Sequence, residues 1–92
     1  MNSNSAEVRV RMKYLVTLKE QTGIEDEQIV LPADATLEDV ADWLKQRYGV
    51  SASDPQVMAT LNSKGWDQYP AKLATKLNDG DLVMLFPLLS GG

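Results

Sequence analysis

One stretch carries a full-length helical signature, and it dictates what the rest of the chain has to be. In Thr36-Leu-Glu-Asp-Val-Ala-Asp-Trp-Leu-Lys-Gln-Arg-Tyr48-Gly49, the side chains of Leu37, Val40, Ala41, Leu44 and Tyr48 fall on one narrow stripe. Glu38, Asp42, Lys45 and Gln46 fall opposite, the pattern of a helix with one face in a core. Thr36 is suited to the N-cap, Glu38 and Asp39 to the positive end of the helix dipole, and Gly49 to the left-handed stop. Trp43 lies off the stripe beside Arg47 and is expected to flank the core. A single stripe must bury against something, and the other segments are too short for partner helices. The helix is therefore expected to pack on a sheet.

The strands come from period-two alternation. Glu7 to Tyr14 places Val8, Val10, Met12 and Tyr14 on one face and Arg9, Arg11 and Lys13 on the other, a half-buried strand. The period then changes: Leu15 and Leu18 stand at helical spacing, predicting a short helix or helical turn that stops at Gly23. Glu25-Asp26-Glu27 reads as a solvated acidic turn rather than a metal site. A short second strand, Gln28 to Leu31, ends at Pro32 and pairs with the first as a hairpin.

After a polar loop over 50–56, Val57 to Leu61 reads as a third strand. Asn62 to Gly65 is a turn with Gly65 at its left-handed position, and Trp66 to Tyr69 a short return strand. Leu73 and Leu77 are expected to pin the following connection to the core. Asn78-Asp-Gly-Asp81 is a tight turn, its two aspartates explained by turn chemistry rather than catalysis. The order predicts an α+β fold with a mixed four- to five-stranded sheet packed on one main helix.

Composition removes whole classes of function. The 92 residues suffice for one domain. With no cysteine and no histidine, the chain lacks a disulfide framework, a thiol of its own, the commonest general base and the commonest metal ligands. A net charge of -4 argues against a sequence-independent nucleic-acid binder and for a partner carrying a basic patch. No apolar run approaches the ~20 residues of a membrane span. The segment 1–6 lacks the apolar core of a signal peptide and reads as a disordered tail. A cytoplasmic setting is expected.

No internal constellation of nucleophile and base, phosphate loop or metal ligands stands out, which turns attention to the last residues, Asp81-Leu-Val-Met-Leu-Phe-Pro-Leu-Leu-Ser-Gly-Gly92. Leu82 to Leu85 are expected to anchor this stretch in the core. Pro87 holds Phe86 extended. Phe86, Pro87, Leu88 and Leu89 offer a docking surface for a partner, because apolar residues on an arm are costly unless something covers them. Ser90, Gly91 and Gly92 can thread a narrow channel, and without a Cβ the Gly92 carbonyl is open to attack. A carboxylate is a poor electrophile, so chemistry there requires activation, most simply by ATP to an acyl-adenylate in another protein's active site.

The run Leu77 to Gly92 resembles the C-terminus of the MoaD/ThiS family of ubiquitin-like sulfur carriers. That family ends with an Asp-Gly-Asp turn, an apolar strand, Phe-Pro-Pro and Gly-Gly. The resemblance extends back through Val8–Gly23 and the helix Thr36–Gly49, and is closest to the small subunit of molybdopterin synthase. It implies a ubiquitin-like β-grasp fold over 7–87, with first and last strands side by side at the sheet's centre, and a flexible tail over 88–92.

It also implies a carrier rather than an enzyme. A ubiquitin-activating-like adenylating enzyme of the MoeB/ThiF type would use ATP to adenylate Gly92, and a sulfur donor protein would convert the adenylate to a thiocarboxylate. The loaded tail would then enter a large molybdopterin synthase subunit of the MoaE type. Leu15 and Phe86 match interface positions of the family. No bound cofactor, metal, nucleic acid or membrane is implied. Two features depart from the pattern: Leu88 replaces the second proline, and the stretch 62–76 is longer than in a minimal carrier. The alternatives are a protein modifier joined to lysines through Gly92, a carrier for thiamine, cysteine or tRNA thiolation, and an interaction module with an inert tail.

Overall fold

The structure, a computed structural model, describes residues 7–88. Strand β1 (Glu7–Tyr14) follows the alternation residue by residue, with Val8, Val10, Met12 and Tyr14 buried and Glu7, Arg9 and Arg11 exposed. Strand β2 (Asp26–Pro32) lies antiparallel on one side of it, Val10 opposite Ile29. Strand β5 (Asp81–Pro87) lies parallel on the other side, Met12 opposite Val83. Strand β3 (Val57–Leu61) runs antiparallel to β5, and the two-residue β4 (Lys64–Gly65) completes the order β2-β1-β5-β3-β4. The first and last strands thus form a central parallel pair, which requires a long crossover. The helix α2 (Leu37–Tyr48) lies within it.

Helix α2 sets Leu37, Val40 and Leu44, all fully buried, against Val10, Met12, Val83 and Leu85 of the sheet. Burying one such side chain stabilises by about 1.5–3 kcal/mol, so this stripe outweighs the modest propensity of a 12-residue helix. Its start is fixed by the Thr36 N–H, which donates to Asp39 Oδ2 at 2.8 Å, and its end by Gly49 at φ 70°. Trp43 flanks the core as expected, its ring edge-on to Tyr48 with centroids 5.7 Å apart.

The Asn78–Asp81 turn is held by its carboxylates. Asp81, 7% exposed, accepts the Asn78 N–H at 2.7 Å and the Asn62 Nδ2 at 3.0 Å. Asp79 Oδ1 accepts the Arg9 N–H at 2.7 Å. The pair ties the entry of β5 to β1 and to the β3–β4 turn, and is structural.

Several local expectations are corrected. Helix α1 spans Thr17–Thr22 and leaves Leu15 outside it. The Leu15 N–H instead donates to Leu85 O at 3.0 Å, continuing the central ladder, so Leu18 is buried while Leu15 stays partly exposed. The acidic cluster is not a solvated turn: Asp26 begins β2, and Glu27 is drawn inward by two tyrosine hydroxyls. The left-handed residues of the 62–65 turn are Asn62 (φ 51°) and Ser63 (φ 74°) rather than Gly65, because a two-residue loop between paired Leu61 and Lys64 demands positive φ at both central positions. The expected return strand is a 3-10 turn, Trp66–Gln68, which drives Trp66 into the core at 7% exposure. Leu77 is buried, but Leu73 is 42% exposed and pins nothing. In β5 only Val83 and Leu85 of the expected anchor enter the core, since period-two alternation turns Leu82 and Met84 to the opposite face.

Candidate functional site

The end of β5 assembles the features expected of a docking surface. Phe86 and Met84 share the sheet face away from α2 and stand partly exposed. Leu15, leaving β1 beside them, meets them with Val16 and Pro87 around a shallow apolar groove of about 270 Å³. Leu15 is thus brought to Phe86 and Pro87, far from it in sequence, by the parallel β1–β5 register, in which Tyr14 stands opposite Leu85. Leu88 is next to the groove, 51% exposed, with its N–H donating to Gln56 O at 2.8 Å. Leu89, Ser90, Gly91 and Gly92 lie outside the described residues.

Two groove residues escaped the sequence reading. Met84 was legible, because the alternation that buries Val83 and Leu85 turns it outward with Phe86. Val16 carried no signal: it follows the end of β1 and takes φ 56°, which no local pattern announces for a β-branched residue.

Behind the groove, the position of β1's end is fixed by a polar staple. The Tyr14 and Tyr48 hydroxyls both donate to Glu27 Oε2, at 2.7 and 2.6 Å. Their rings meet edge-on with centroids 5.7 Å apart, and the Arg47 guanidinium carbon lies 5.7 Å from the Tyr48 centroid. Burial, reinforced by the hydrogen bond to Glu27, pushes the Tyr14 hydroxyl far above the ordinary tyrosine range, and the same two causes raise that of Tyr48. Strand β2, strand β1 and helix α2 are joined at the Glu27 carboxylate, which holds β1 at Tyr14, one residue before Leu15.

A larger cavity of about 590 Å³ opens between α2, the 51–55 loop, β3 and the Trp66–Leu73 connection. It lies on the helix side of the sheet and includes no residue of the groove. Among the described residues no group of three or more His, Cys, Asp or Glu side chains is arranged to hold a metal ion. No described helix is long and apolar enough to cross a membrane. What the groove offers is an apolar surface shortly ahead, in sequence, of Gly91-Gly92.

Comparison with known proteins bears on both fold and site. The ThiS family model matches residues 12–92. Among solved structures, the HVO 2177 protein of Haloferax volcanii superposes with a TM-score of 0.79 at 25% identity, covering 100% of this chain and 93% of that one. A putative molybdopterin converting factor subunit 1 from Pyrococcus furiosus gives a TM-score of 0.75 at 25% identity, over 89% of this chain and 99% of its own. SAMP1 (small archaeal modifier protein 1) of Haloferax volcanii gives 0.72 at 24% identity, over 91% and 99%. No curated protein matches the chain in sequence. The mixed sheet with its helix is the ubiquitin-like β-grasp.

Proposed function

This chain belongs to the ThiS family of ubiquitin-like carriers, and from that premise we propose that it is a sulfur carrier acting through Gly92 in molybdopterin synthesis. The observation that carries the reading is the apolar groove of Leu15, Phe86 and Pro87 at the exit of β5, which gives a partner a grip on the chain just before Ser90-Gly91-Gly92. Likeness to the Pyrococcus furiosus subunit 1, at 25% identity, supports the molybdopterin branch, and its designation as subunit 1 supports a second subunit as partner.

A Gly92 carboxylate oxygen attacks the α-phosphorus of ATP in the adenylating enzyme (MoeB/ThiF type), and pyrophosphate leaves. Sulfur at the hydrosulfide level, supplied by a donor protein, attacks the acyl carbon; AMP departs with the bridging oxygen, and a thiocarboxylate remains. In the large subunit (MoaE type) the thiocarboxylate sulfur bonds to the pterin precursor, and water attacks the acyl carbon, breaking its bond to sulfur and returning Gly92 as a carboxylate. The chain supplies no catalytic side chain and needs no bound cofactor for these steps. It presents the terminus, with Leu88 and Leu89 leading Ser90 and Gly91 into a narrow channel that only small residues pass. A cytoplasmic setting accords with ATP-dependent loading.

Pyrophosphate exchange tests the first step. The adenylating enzyme should exchange labelled pyrophosphate into ATP only when this protein is present, and deletion of Gly92 should abolish exchange while leaving thermal unfolding unchanged. Exchange that persists after the deletion counts against the proposal. The modifier reading shares the adenylate and is supported by the likeness to small archaeal modifier protein 1 structures. It requires Gly92-linked isopeptide adducts on target lysines, which the sulfur-carrier reading does not.

A further inference from the structure

Three alanines leave a gap between the main helix and the outer edge of β3. Ala41 of α2, Ala52 of the 51–55 loop and Ala59 of β3 line the cavity of about 590 Å³, where larger side chains would have closed helix onto strand. Another wall is the connection after β4, in which Trp66 is driven into the core while Leu73 stays exposed. Leu73 follows Lys72, which takes φ 52° and turns its ammonium onto the Asp67 carbonyl at 2.7 Å. The volume is that of a binding pocket.

The sheet is open at the same place. Strand β4 covers β3 only at Thr60 and Leu61. Val57, Met58 and Ala59, which line the cavity, therefore have β5 on one side and no strand on the other. The phase of the ladder is fixed by the Leu88 N–H on Gln56 O and the Asn62 N–H on Leu82 O. Met58 and Thr60 thus turn their main-chain groups to β5, and Val57 and Ala59 turn theirs to the open edge. The Val57 N–H is taken by Asp54 O at 2.9 Å. An edge without a strand partner is a template for an added one.

The charges decide what kind of strand fits. Glu38, Asp42, Asp54 and Asp67 line the cavity against Lys45 and Lys72. The Lys72 ammonium is engaged by the Asp67 carbonyl, and Asp54 Oδ1 accepts the Gln56 N–H at 2.8 Å. Among the described residues none of the four carboxylates enters an ion pair. Negative charge is in surplus, and it brackets the edge: Asp54 precedes β3 and Asp67 follows β4.

We propose that the cavity receives an extended segment of a protein partner, added as a strand to β3 at Val57–Ala59. One apolar side chain of the segment fills the gap over Ala41 and Ala59, beside Trp66 and Leu73. Lysine or arginine two residues to either side, on the same face of the added strand, meets the carboxylates. This surface shares no residue with the groove at the end of β5, and it gives a place to the basic partner expected from a net charge of -4.

The probe is the capped pentapeptide Lys-Thr-Val-Thr-Lys, titrated into isotope-labelled full-length protein and followed by NMR, with Glu-Thr-Val-Thr-Glu as its charge reversal. The lysine peptide should shift the amides of Val57, Met58, Ala59 and Leu73 and the Trp66 indole N–H. It should bind about ten-fold more tightly than the glutamate peptide at low salt, by a ratio that narrows as salt is raised. Asp42→Lys should weaken it about three-fold or more. Ala41→Leu, which fills the gap at a helix position leucine suits, should weaken it about ten-fold. Deletion of Gly91 and Gly92 should change nothing, so a failed carrier reading leaves this site standing. The proposal is overturned by no shift at about 1 mM peptide, by equal affinity for the two peptides, by undiminished binding in both variants, or by shifts confined to Leu15, Met84 and Phe86. Butylguanidine binding as tightly as the pentapeptide overturns it in favour of a small cationic ligand. A concentration-dependent dimer that Ala41→Leu abolishes overturns it in favour of a second copy of this chain.

Discussion

Replacing Glu27 by alanine removes the one acceptor shared by Tyr14 and Tyr48, at 2.7 and 2.6 Å. Hydrogen bonds to a charged group contribute about 1.5–3 kcal/mol each. The two losses are unequal here. Tyr48 is partly exposed and can turn to water, whereas Tyr14 is fully buried and its hydroxyl is orphaned, at a cost of about 1–3 kcal/mol. The expected destabilisation is therefore about 2–4 kcal/mol, most of it from Tyr14. Urea unfolding measures it: with a slope of about 1 kcal/mol/M for a domain of this size, the midpoint should fall by ~2 M or more. The double variant Glu27→Ala/Tyr14→Phe should be no less stable than Glu27→Ala alone, because it has no buried hydroxyl left to orphan. Strict additivity of the two single changes, or a Glu27→Ala loss below about 0.5 kcal/mol, would refute the account of this staple.

Further expectations follow from the same contacts. The folded state raises the pKa of Tyr14 above its unfolded value, so its neutral hydroxyl contributes stability that is fully present below the unfolded pKa of about 10 and is lost as pH rises toward the folded value. Stability should decline above about pH 10, and Tyr14→Phe should flatten that decline in urea titrations at graded pH. Asp81→Ala strips the partners from the Asn78 N–H and Asn62 Nδ2, and should lower stability by about 2–3 kcal/mol by denaturant unfolding. Gly80→Ala forces a Cβ into φ 91° and should cost about 1 kcal/mol or more by the same measure. Phe86→Ala, at a partly exposed position outside the core, should leave the unfolding midpoint nearly unchanged while raising the KM for adenylation; a large stability loss with unchanged KM would remove Phe86 from the docking surface.

What was legible in the chain were the elements whose burial repeats with a fixed period. Val8 to Tyr14 and Leu37 to Tyr48 each bury a single face, so their spacing maps directly onto structure. The Phe86-Pro87 segment was legible as a surface because apolar residues follow a strand that already fills its core face. The Tyr14–Glu27–Tyr48 staple was hidden because its partners are 13 and 21 residues apart and Glu27 stands in an acidic run that looks like solvent-facing charge. The 62–65 turn was misassigned because pairing of Leu61 with Lys64, a tertiary choice of register, determines which residues take positive φ, against the preference for glycine. Val16 is the same lesson at the candidate site: its conformation is imposed by the ladder that carries Leu15 onto Leu85.

Intact mass spectrometry tests directly whether Gly92 carries sulfur. After incubation with ATP, the adenylating enzyme and a sulfur donor, the protein should gain the mass difference between one sulfur and one oxygen, with the change mapping to Gly92 in the C-terminal peptide. An unchanged mass, with an enzyme shown to load its own established carrier, would contradict the account.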